Sequence, residues 1–327
     1  MKTSYGFSKQ TGDEPLIISI VVPVFNEEEV INEFFARIQP TIEELNLQKY
    51  TIELIFVNDG SKDSTSEILV EYSKHVKIGS SVRIIEFSRN FGHQAAIYCG
   101  IKESKGEAVV TIDADLQDPP EAIIDFVEKW ELGFDVVSGK RISRSGETIL
   151  KKASAALFYR ALNYLSEESI PRDIADFRLL SRRAVGALLR LDEADLYLRG
   201  MIHWIGFKQT VVEYERDARF AGKTHYTTKK MFQLARNGII AFSTKPLRFA
   251  FKIAQVSFLF AISYSLYLIY QKLSNPNLSL PGYTSLTVII LWSFSFQTFV
   301  LGIFGEYQQF IYSQTKKRPN YIIMDNK

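Results

Sequence analysis

Five short apolar runs alternate with segments whose apolar residues recur at helical spacing, and this alternation constrains the fold more than any other feature. Strands that are apolar throughout are typical of a parallel sheet covered by helices on both faces. We therefore predict an α/β domain with a Rossmann-like, mostly parallel sheet. Asn26 is expected to cap the first helix. The runs are LIISIVVPVF (16–25), TIELIFV (51–57), VRIIEFS (82–88), EAVVTI (107–112) and FDVVSG (134–139).

Each run ends in a polar or glycine-containing segment. In open sheets of this kind, ligands bind beyond the carboxyl ends of the strands, so these segments are expected to converge on one functional edge. His93, in the third of them, is placed either to contact a nucleotide or to cap the following helix. The segments are PVFNE, NDGSKD, SRNFG, DADLQD and GKR.

The stretch TIDADLQDPPE (111–121) places four acidic side chains in eleven positions. Because neighbouring carboxylates repel one another, the stretch is either a solvated turn or the binding site of a cation. An Asp-x-Asp pair at a strand end suits Mg²⁺ or Mn²⁺, with a bound diphosphate completing the coordination. Neither GxxxxGK[ST] nor GxGxxG occurs, which argues against a Walker-type or dinucleotide site.

The composition of the chain argues against several classes of protein. The 327 residues are 46% hydrophobic, too apolar for a disordered chain, and the net charge of +2 gives no reason to expect nucleic-acid binding. A single cysteine, Cys99, leaves no intramolecular disulfide and no thiolate cluster for zinc. The first 15 residues contain no apolar run typical of a secretory signal.

The chain changes character after about residue 245. No charged side chain occurs in 253–270 or in 273–305, and the proline- and glycine-containing stretch 274–283 separates two apolar segments. Such lengths predict two membrane spans, at about 252–271 and 285–305, whereas a buried helical hairpin is the alternative. Basic residues flank both outer ends, so both termini are expected in the cytoplasm, with the protein in the cell inner membrane. These residues are Lys245, Arg248, Lys252, Lys316, Lys317 and Arg318.

Six motifs together resemble the inverting GT-A glycosyltransferases, and more closely the polyisoprenyl-phosphate glycosyltransferases, which include dolichol-phosphate mannose synthases and GtrB-type bactoprenol glucosyltransferases. The resemblance implies a GT-A domain (1–226), an amphipathic juxtamembrane helix (227–248), a membrane hairpin (249–310) and a cytoplasmic tail (311–327). The motifs are PVFNEE (23–28), VNDGSKD (57–63), DADLQDPPE (113–121), ADFRLLSR (175–182), RGMIHWIGF (199–207) and RFAGKTHY (219–226).

The resemblance also implies roles for individual residues. Asp113 is expected beside the donor, and Asp115 and Gln117, with Asp113, at the divalent metal. Arg141 is expected to bind phosphate, and Arg219 belongs to a motif that closes over the site. The residues implied in substrate binding are Pro23, Phe25, Glu27 and Asp59 at the nucleotide, with Arg89, Lys151, Arg199 and Lys223.

At two positions, Asp176 and His225, the expectation differs from the pattern of the wider family. Asp176 occupies the position of the catalytic base in the wider family, yet here we expect it to orient the acceptor or a neighbouring arginine. His225 stands where relatives often have a lysine, and Lys223 is expected to compensate for the missing charge.

A lipid phosphate as acceptor is consistent with the basic segment 139–152. A phosphate monoester is largely dianionic at neutral pH, so it needs cations to bind it rather than a general base. The alternative is that these cations form a solvated face. The candidate cations are Lys140, Arg141, Arg144, Lys151 and Lys152.

The favoured hypothesis is transfer of one sugar from a nucleotide-sugar, UDP-glucose by resemblance, to undecaprenyl phosphate with inversion at the cytoplasmic leaflet. GDP-mannose and UDP-N-acetylglucosamine fit the framework as donors too. A processive polysaccharide synthase is disfavoured, because no Gln-x-x-Arg-Trp motif occurs and two spans are too few for a polymer channel. A non-catalytic membrane protein is disfavoured by the intact Asp-x-Asp. Relatives assemble through their membrane parts, but the sequence leaves a homo-oligomer open.

Overall fold

The computed structural model describes residues 15–48, 50–74, 80–142, 174–191, 193, 196–215, 245–274 and 282–326. The chain divides into two compact units. The first comprises Met1–Ser145, Asp173–Lys223 and Pro319–Lys327, and the second comprises Gly146–Arg172 and Thr224–Arg318.

Within its described residues, the first unit contains one eight-stranded sheet. The strands are β1 (Leu16–Val24), β2 (Tyr50–Asn58), β3 (Ser80–Phe87), β4 (Ala108–Thr111), β5 (Val136–Ile142), β6 (Ile174–Ser181), β7 (Gln209–Glu215) and β8 (Ile323–Asn326). Their order across the sheet is β7-β5-β6-β4-β1-β2-β3-β8. The five strands predicted from the apolar runs are confirmed, with ends that differ by at most three residues.

Strand direction decides which residues reach the functional edge. The pairs β1–β2, β1–β4, β2–β3 and β5–β7 are parallel, whereas β6 runs antiparallel to both β4 and β5, and β8 runs antiparallel to β3. The carboxyl ends of β1 to β5 therefore lie at one edge, and the amino end of β6 lies at that same edge. Asp176, near the start of β6, is thereby brought beside the segment that follows β4.

Helices cover both faces of the sheet, as predicted. Side chains alternate along β1, so Ile20 and Val22 join a core with Phe34 and Phe126, while Val21 lies against the helical residue Gly100 on the opposite face. Burying each large apolar side chain of this core contributes roughly 1.5–3 kcal/mol. The helices are α1 (Ile31–Leu47), α2 (Thr65–Ser73), α3 (His93–Glu103), α4 (Ala122–Glu131), α5 (Arg182–Leu188) and α6 (Leu198–Trp204).

The predicted cap of the first helix is wrong. Helix α1 begins at Ile31, five residues after Asn26, and Asn26 adopts a left-handed backbone conformation with φ of 54°. Its side-chain oxygen accepts a hydrogen bond from the Lys62 amide at 2.9 Å, and its own amide donates to Ser61 Oγ at 3.0 Å. Asn26 therefore joins two loops of the functional edge instead of starting a helix.

The second unit contains two long helices, α7 (Lys245–Ser274) and α8 (Tyr283–Thr315). Large apolar side chains are exposed on both, among them Phe258, Phe260, Trp292 and Phe294. Within the described ranges, no helix combines the length and the apolar character needed to cross a membrane. The predicted pair of membrane spans is therefore not confirmed, although 252–271 and 285–305 both lie within these helices.

Candidate active site

The loops that follow β1 and β2 are fastened to each other. The amide of Glu27 donates to Thr65 Oγ1 at 2.9 Å, and the amide of Glu28 donates to Asp63 Oδ2 at 3.2 Å. Pro23 lies within β1, opposite Val57 of β2, while the neighbouring Phe25 side chain remains exposed. Of the residues predicted to hold the nucleotide, Pro23 thus lies near the end of β1, and Phe25 and Glu27 lie in the loop that follows it, where the backbone is fixed and the aromatic ring is accessible.

The carboxylate of Asp59 is hydrogen-bonded to the backbone of the loop that follows β3. Its carboxylate accepts hydrogen bonds from the amides of Phe91 at 2.6 Å and Gly92 at 2.9 Å, and only 3% of the residue is exposed. Burial raises the pKa of Asp59, while the two amides counteract the shift. In the structure, Asp59 therefore shapes the loop after β3, and this loop carries Arg89, whose guanidinium lies 3.9 Å from the centre of the Phe91 ring.

Gly60 permits this close contact between loops. Its φ is 68°, and a β-carbon there would lie 2.6 Å from the carbonyl carbon of Arg89. Any other residue would meet both the left-handed penalty and a clash with backbone atoms. The glycine of the NDGSKD segment is thus needed for the close packing of two loops as well as for the turn.

Asp113 is the most perturbed carboxyl group of the acidic segment. Its side chain follows β4 and is 30% exposed, with His93 Nε2 at 3.5 Å from Oδ1. Burial raises the pKa of Asp113 to about 6, with Asp118, Asp176 and Asp115 adding repulsion and His93 opposing the shift. The negative charge predicted for this segment is therefore present and poorly compensated near Asp113, as expected of a site that receives a cation.

The backbone between the two aspartates and the glutamine is turned back on itself. Leu116 has a φ of 59°, a conformation that side-chain-bearing residues rarely adopt, and the Gln117 amide donates to Asp115 Oδ1 at 3.1 Å. Arg37 of α1 holds the segment from outside through an ion pair with Glu121 at 3.3 Å. Asp115 and Gln117 are thus adjacent in a tight, externally supported turn.

Arg141 lies in a separate ion pair. Its Nη2 and Nε donate to the buried Asp118 carboxylate at 3.0 and 3.2 Å, and the Tyr214 hydroxyl donates to the same carboxylate at 2.6 Å. Burial lowers the pKa of Arg141, but Asp118 outweighs that effect and raises it. Lys140 is paired with Glu213 at 2.6 Å. Both cations of the GKR segment, which the sequence suggested for phosphate, therefore have carboxylate partners.

Asp176 collects donors from three elements. Arg199 of α6 donates to both carboxylate oxygens at 2.9 and 3.0 Å, Arg178 donates at 3.3 Å, and Gln94 Nε2 donates at 3.3 Å. Burial alone raises the pKa of Asp176, yet the two guanidinium groups hold it well below its usual range. Burial also lowers the pKa of Arg178 to about 10. Asp176 contacts an arginine, which is one of the two arrangements expected from the sequence.

His93 does not cap α3. Gly92 is the N-cap residue and no side chain caps this helix, while the Nε2 atom of His93 lies 3.5 Å from an Asp113 oxygen and 3.8 Å from an Asp176 oxygen. Gln94, which the sequence analysis did not select, also reaches Asp176. The signal that could have selected both residues is their position at the start of the helix after the third strand.

Metal binding can be judged from the donor set. Among the described residues, no group of three or more histidine, cysteine and acidic side chains is arranged to hold a metal ion. Magnesium sites in enzymes of phosphorylated substrates commonly use only one or two carboxylates plus substrate oxygens. Asp115 and Asp113, at the end of β4, fit that smaller donor set.

Arg219, Lys151 and Lys223 lie outside the described residues, as do Arg144, Lys152 and His225. The structure brings Asp113, Asp176, Arg199 and His93 together at the edge of the sheet.

The fold and its acidic edge agree with the glycosyltransferase class that the motifs resemble, and the protein is a glycosyltransferase. The chain belongs to glycosyl transferase family 2, whose family model matches residues 19–189.

Three similar proteins extend the match beyond the family domain. An uncharacterized glycosyltransferase of Bacillus subtilis (strain 168) is 46% identical over 305 residues, covering 93% of this chain and 92% of that protein. A prophage bactoprenol glucosyl transferase homolog of Escherichia coli (strain K12) is 40% identical over 306 residues, covering 94% and 98%. The bactoprenol glucosyl transferase of Shigella phage SfV is 40% identical over 316 residues, covering 95% and 99%.

Proposed function

We propose that this enzyme transfers one glucose from UDP-glucose to undecaprenyl phosphate, with inversion, at the cytoplasmic leaflet of the cell inner membrane. The observation that carries the proposal is the 40% identity to bactoprenol glucosyl transferases through 94–95% of this chain, including the part beyond the family domain. GDP-mannose and UDP-N-acetylglucosamine are the alternative donors.

The proposed reaction is a single displacement at the anomeric carbon. A phosphate oxygen of the acceptor forms a bond to C1 of the sugar, and the bond from C1 to the donor diphosphate breaks. UDP leaves with the electron pair, and attack from the opposite face inverts the configuration. The acceptor phosphate is largely dianionic at neutral pH, so no proton has to be removed from it.

This chemistry accounts for the state of Asp176. A general base needs a pKa near the working pH, whereas the guanidinium groups of Arg199 and Arg178 hold the pKa of Asp176 far below neutrality. Its carboxylate is instead suited to fix the position of arginine side chains. A phosphate acceptor makes a base unnecessary, and a sugar hydroxyl acceptor would not.

A divalent cation, Mg²⁺ or Mn²⁺, is part of the proposal. Asp115 and Asp113 would hold it together with oxygens of the donor diphosphate, and Gln117 is adjacent in the same turn. When bound, the cation would supply charge neutralisation of the leaving diphosphate. It would also favour the ionised form of Asp113, which burial disfavours in the protein alone.

Contact with the membrane is proposed for α7 and α8. Their exposed apolar side chains, which include Phe258, Phe260, Trp292 and Phe294, would be shielded from water by lipid. The basic residues 316–318 that follow α8 favour anionic lipid head groups on the cytoplasmic side. This arrangement would keep the domain beside its lipid acceptor.

The proposal is tested by transfer from radiolabelled UDP-glucose, GDP-mannose and UDP-N-acetylglucosamine to undecaprenyl phosphate, with the full chain in detergent. Each donor is assayed with Mg²⁺, with Mn²⁺ and with EDTA, for wild type, Asp115→Ala and the matched control Asp125→Ala. Asp125 is exposed on α4, away from the acidic turn. We expect labelled lipid from UDP-glucose, retained in the control and lost in EDTA and in Asp115→Ala. Absence of labelled lipid with every donor contradicts the proposal.

A further inference from the structure

One carboxylate oxygen, Asp176 Oδ2, lies close to three side-chain nitrogen atoms at the functional edge. Asp176 Oδ2 lies 3.0 Å from Arg199 Nη2, 3.3 Å from Gln94 Nε2 and 3.8 Å from His93 Nε2. The histidine and the glutamine come from the first turn of α3, and the arginine comes from α6. Arg199 is distant in sequence from His93 and Gln94, and the three side chains are held around a single atom.

The cluster exposes its nitrogen-bearing groups and buries its carboxylate. The Asp176 side chain is 11% exposed, whereas Arg199 and His93 are 40% and 41% exposed. A molecule arriving from solvent at this point meets N–H groups of the guanidinium and imidazole before it meets the acid. Two guanidinium groups, those of Arg199 and Arg178, face the Asp176 carboxylate, so these three side chains together carry a net positive charge.

The side chains that surround Arg199 and His93 carry negative charge. Asp113 also lies beside His93 Nε2, at 3.5 Å, and Asp115 and Asp118 belong to the same acidic segment. Arg141, the alternative phosphate ligand at this edge, is likewise paired with a buried carboxylate, that of Asp118, but its side chain is less exposed than that of Arg199, 28% against 40%. An anion that enters between the acidic turn and α6 is therefore attracted to Arg199 and His93.

We propose that Arg199 and His93 form the subsite for the phosphate of the lipid acceptor. Asp176 positions Arg199, and Gln94 positions the helix that carries it, because Gln94 Oε1 accepts a hydrogen bond from the amide of Leu198 at 3.3 Å. The inference rests on the proposed function, since it assigns the acceptor of that reaction. It places the attacking phosphate at the side chains of Arg199 and His93, and His93 also lies beside Asp113, which is expected beside the donor.

The test is steady-state kinetics of the full chain in detergent, with undecaprenyl phosphate and UDP-glucose varied separately. Arg199→Gln and His93→Ala are expected to raise KM for undecaprenyl phosphate by about ten- to a hundredfold, the range for loss of a charge-assisted hydrogen bond. KM for UDP-glucose should change by less than about twofold. His93→Gln, which keeps an N–H donor, should recover part of the loss, and Arg199→Lys, which keeps the charge, should be milder than Arg199→Gln.

The matched controls are Arg190→Gln, at an exposed arginine after α5, and His203→Ala, at the far end of α6. Both should retain wild-type constants. If wild type forms the glycolipid but the variants alter only the donor KM, or leave the acceptor KM unchanged, the subsite is wrong and the function stands. If wild type forms no glycolipid, the proposed function and the subsite both fail. If Arg199→Gln lowers the thermal unfolding midpoint while Arg199→Lys folds normally, the Arg199→Gln result is set aside. The KM values of Arg199→Lys, His93→Ala and His93→Gln for undecaprenyl phosphate then decide whether the subsite is correct.

Discussion

Replacing Asp113 with asparagine is expected to stabilise the metal-free protein at neutral pH while abolishing transfer. The reason is that burial raises the pKa of this carboxyl from 3.8 to about 6, and the nearby Asp118, Asp176 and Asp115 repel its charge. The folded protein therefore bears an unfavourable charge at pH 7 that the unfolded chain carries without cost. Asparagine keeps the shape and removes the charge.

The magnitude follows from the pKa shift. About two pKa units correspond to roughly 3 kcal/mol at 1.36 kcal/mol per unit. Because 30% of the Asp113 side chain is exposed, solvent screening reduces this to about 1–2 kcal/mol. For a domain of this size, such a gain raises the unfolding midpoint by roughly 2–8 °C.

The raised pKa of Asp113 fixes the direction in which stability changes with pH. Between pH 3.8 and about 6 the folded state binds more protons at Asp113 than the unfolded state, so this group's contribution to stability falls as pH rises. The advantage of Asp113→Asn should be absent near pH 4, grow up to about pH 6 and stay constant above it.

The assay is thermal unfolding of the detergent-solubilised full chain in EDTA from pH 4 to pH 8, with Asp125→Asn as the matched control. A variant that is no more stable than wild type at pH 7.5, or whose advantage does not depend on pH, refutes the reasoning. Added Mg²⁺ and UDP should narrow the difference, because they stabilise only the protein that keeps the carboxylate.

Three further predictions concern stability and location. Gly60→Ala should lower the unfolding midpoint well beyond Gly133→Ala, since both have positive φ but only Gly60 abuts the Arg89 backbone; equal losses contradict this. Tyr214→Phe should cost about 1–3 kcal/mol in denaturant unfolding, because it removes a donor to the buried Asp118 carboxylate, and a neutral result would show that water replaces the hydroxyl. Alkaline carbonate washing should leave the chain in the membrane pellet, and release into the supernatant would exclude the proposed lipid contact of α7 and α8.

Much of the sheet could be predicted from the sequence, because strands buried on both faces are continuous apolar runs. Strands β1 to β5 have this pattern, and the position of Asp113 and Asp115 after the fourth run follows from it. Strand β6, IADFRLLS, contains an aspartate and an arginine, and β8 has only four residues. The residues of β6 are assigned to a motif rather than to a strand, and four residues are too few for a strand period to be recognised.

The arrangement around Asp176 could not be predicted for a related reason. It depends on the insertion of β6, antiparallel, between β4 and β5, which pairs Thr111 with Arg178 across 67 positions of sequence. The pair of Arg141 and Asp118 likewise includes a third partner, Tyr214, which belongs to β7 and contacts both side chains. These contacts join segments whose proximity is set by the whole sheet rather than by local pattern.

The most direct test of the central claim is the structure of the lipid product. Wild-type enzyme is incubated with UDP-α-glucose and undecaprenyl phosphate, and the purified lipid is analysed by mass spectrometry and by NMR of the anomeric proton and phosphorus. The account predicts a monophosphate lipid carrying one hexose in the β configuration. A product with retained α configuration, with several hexoses, or with no sugar on the lipid phosphate would contradict it.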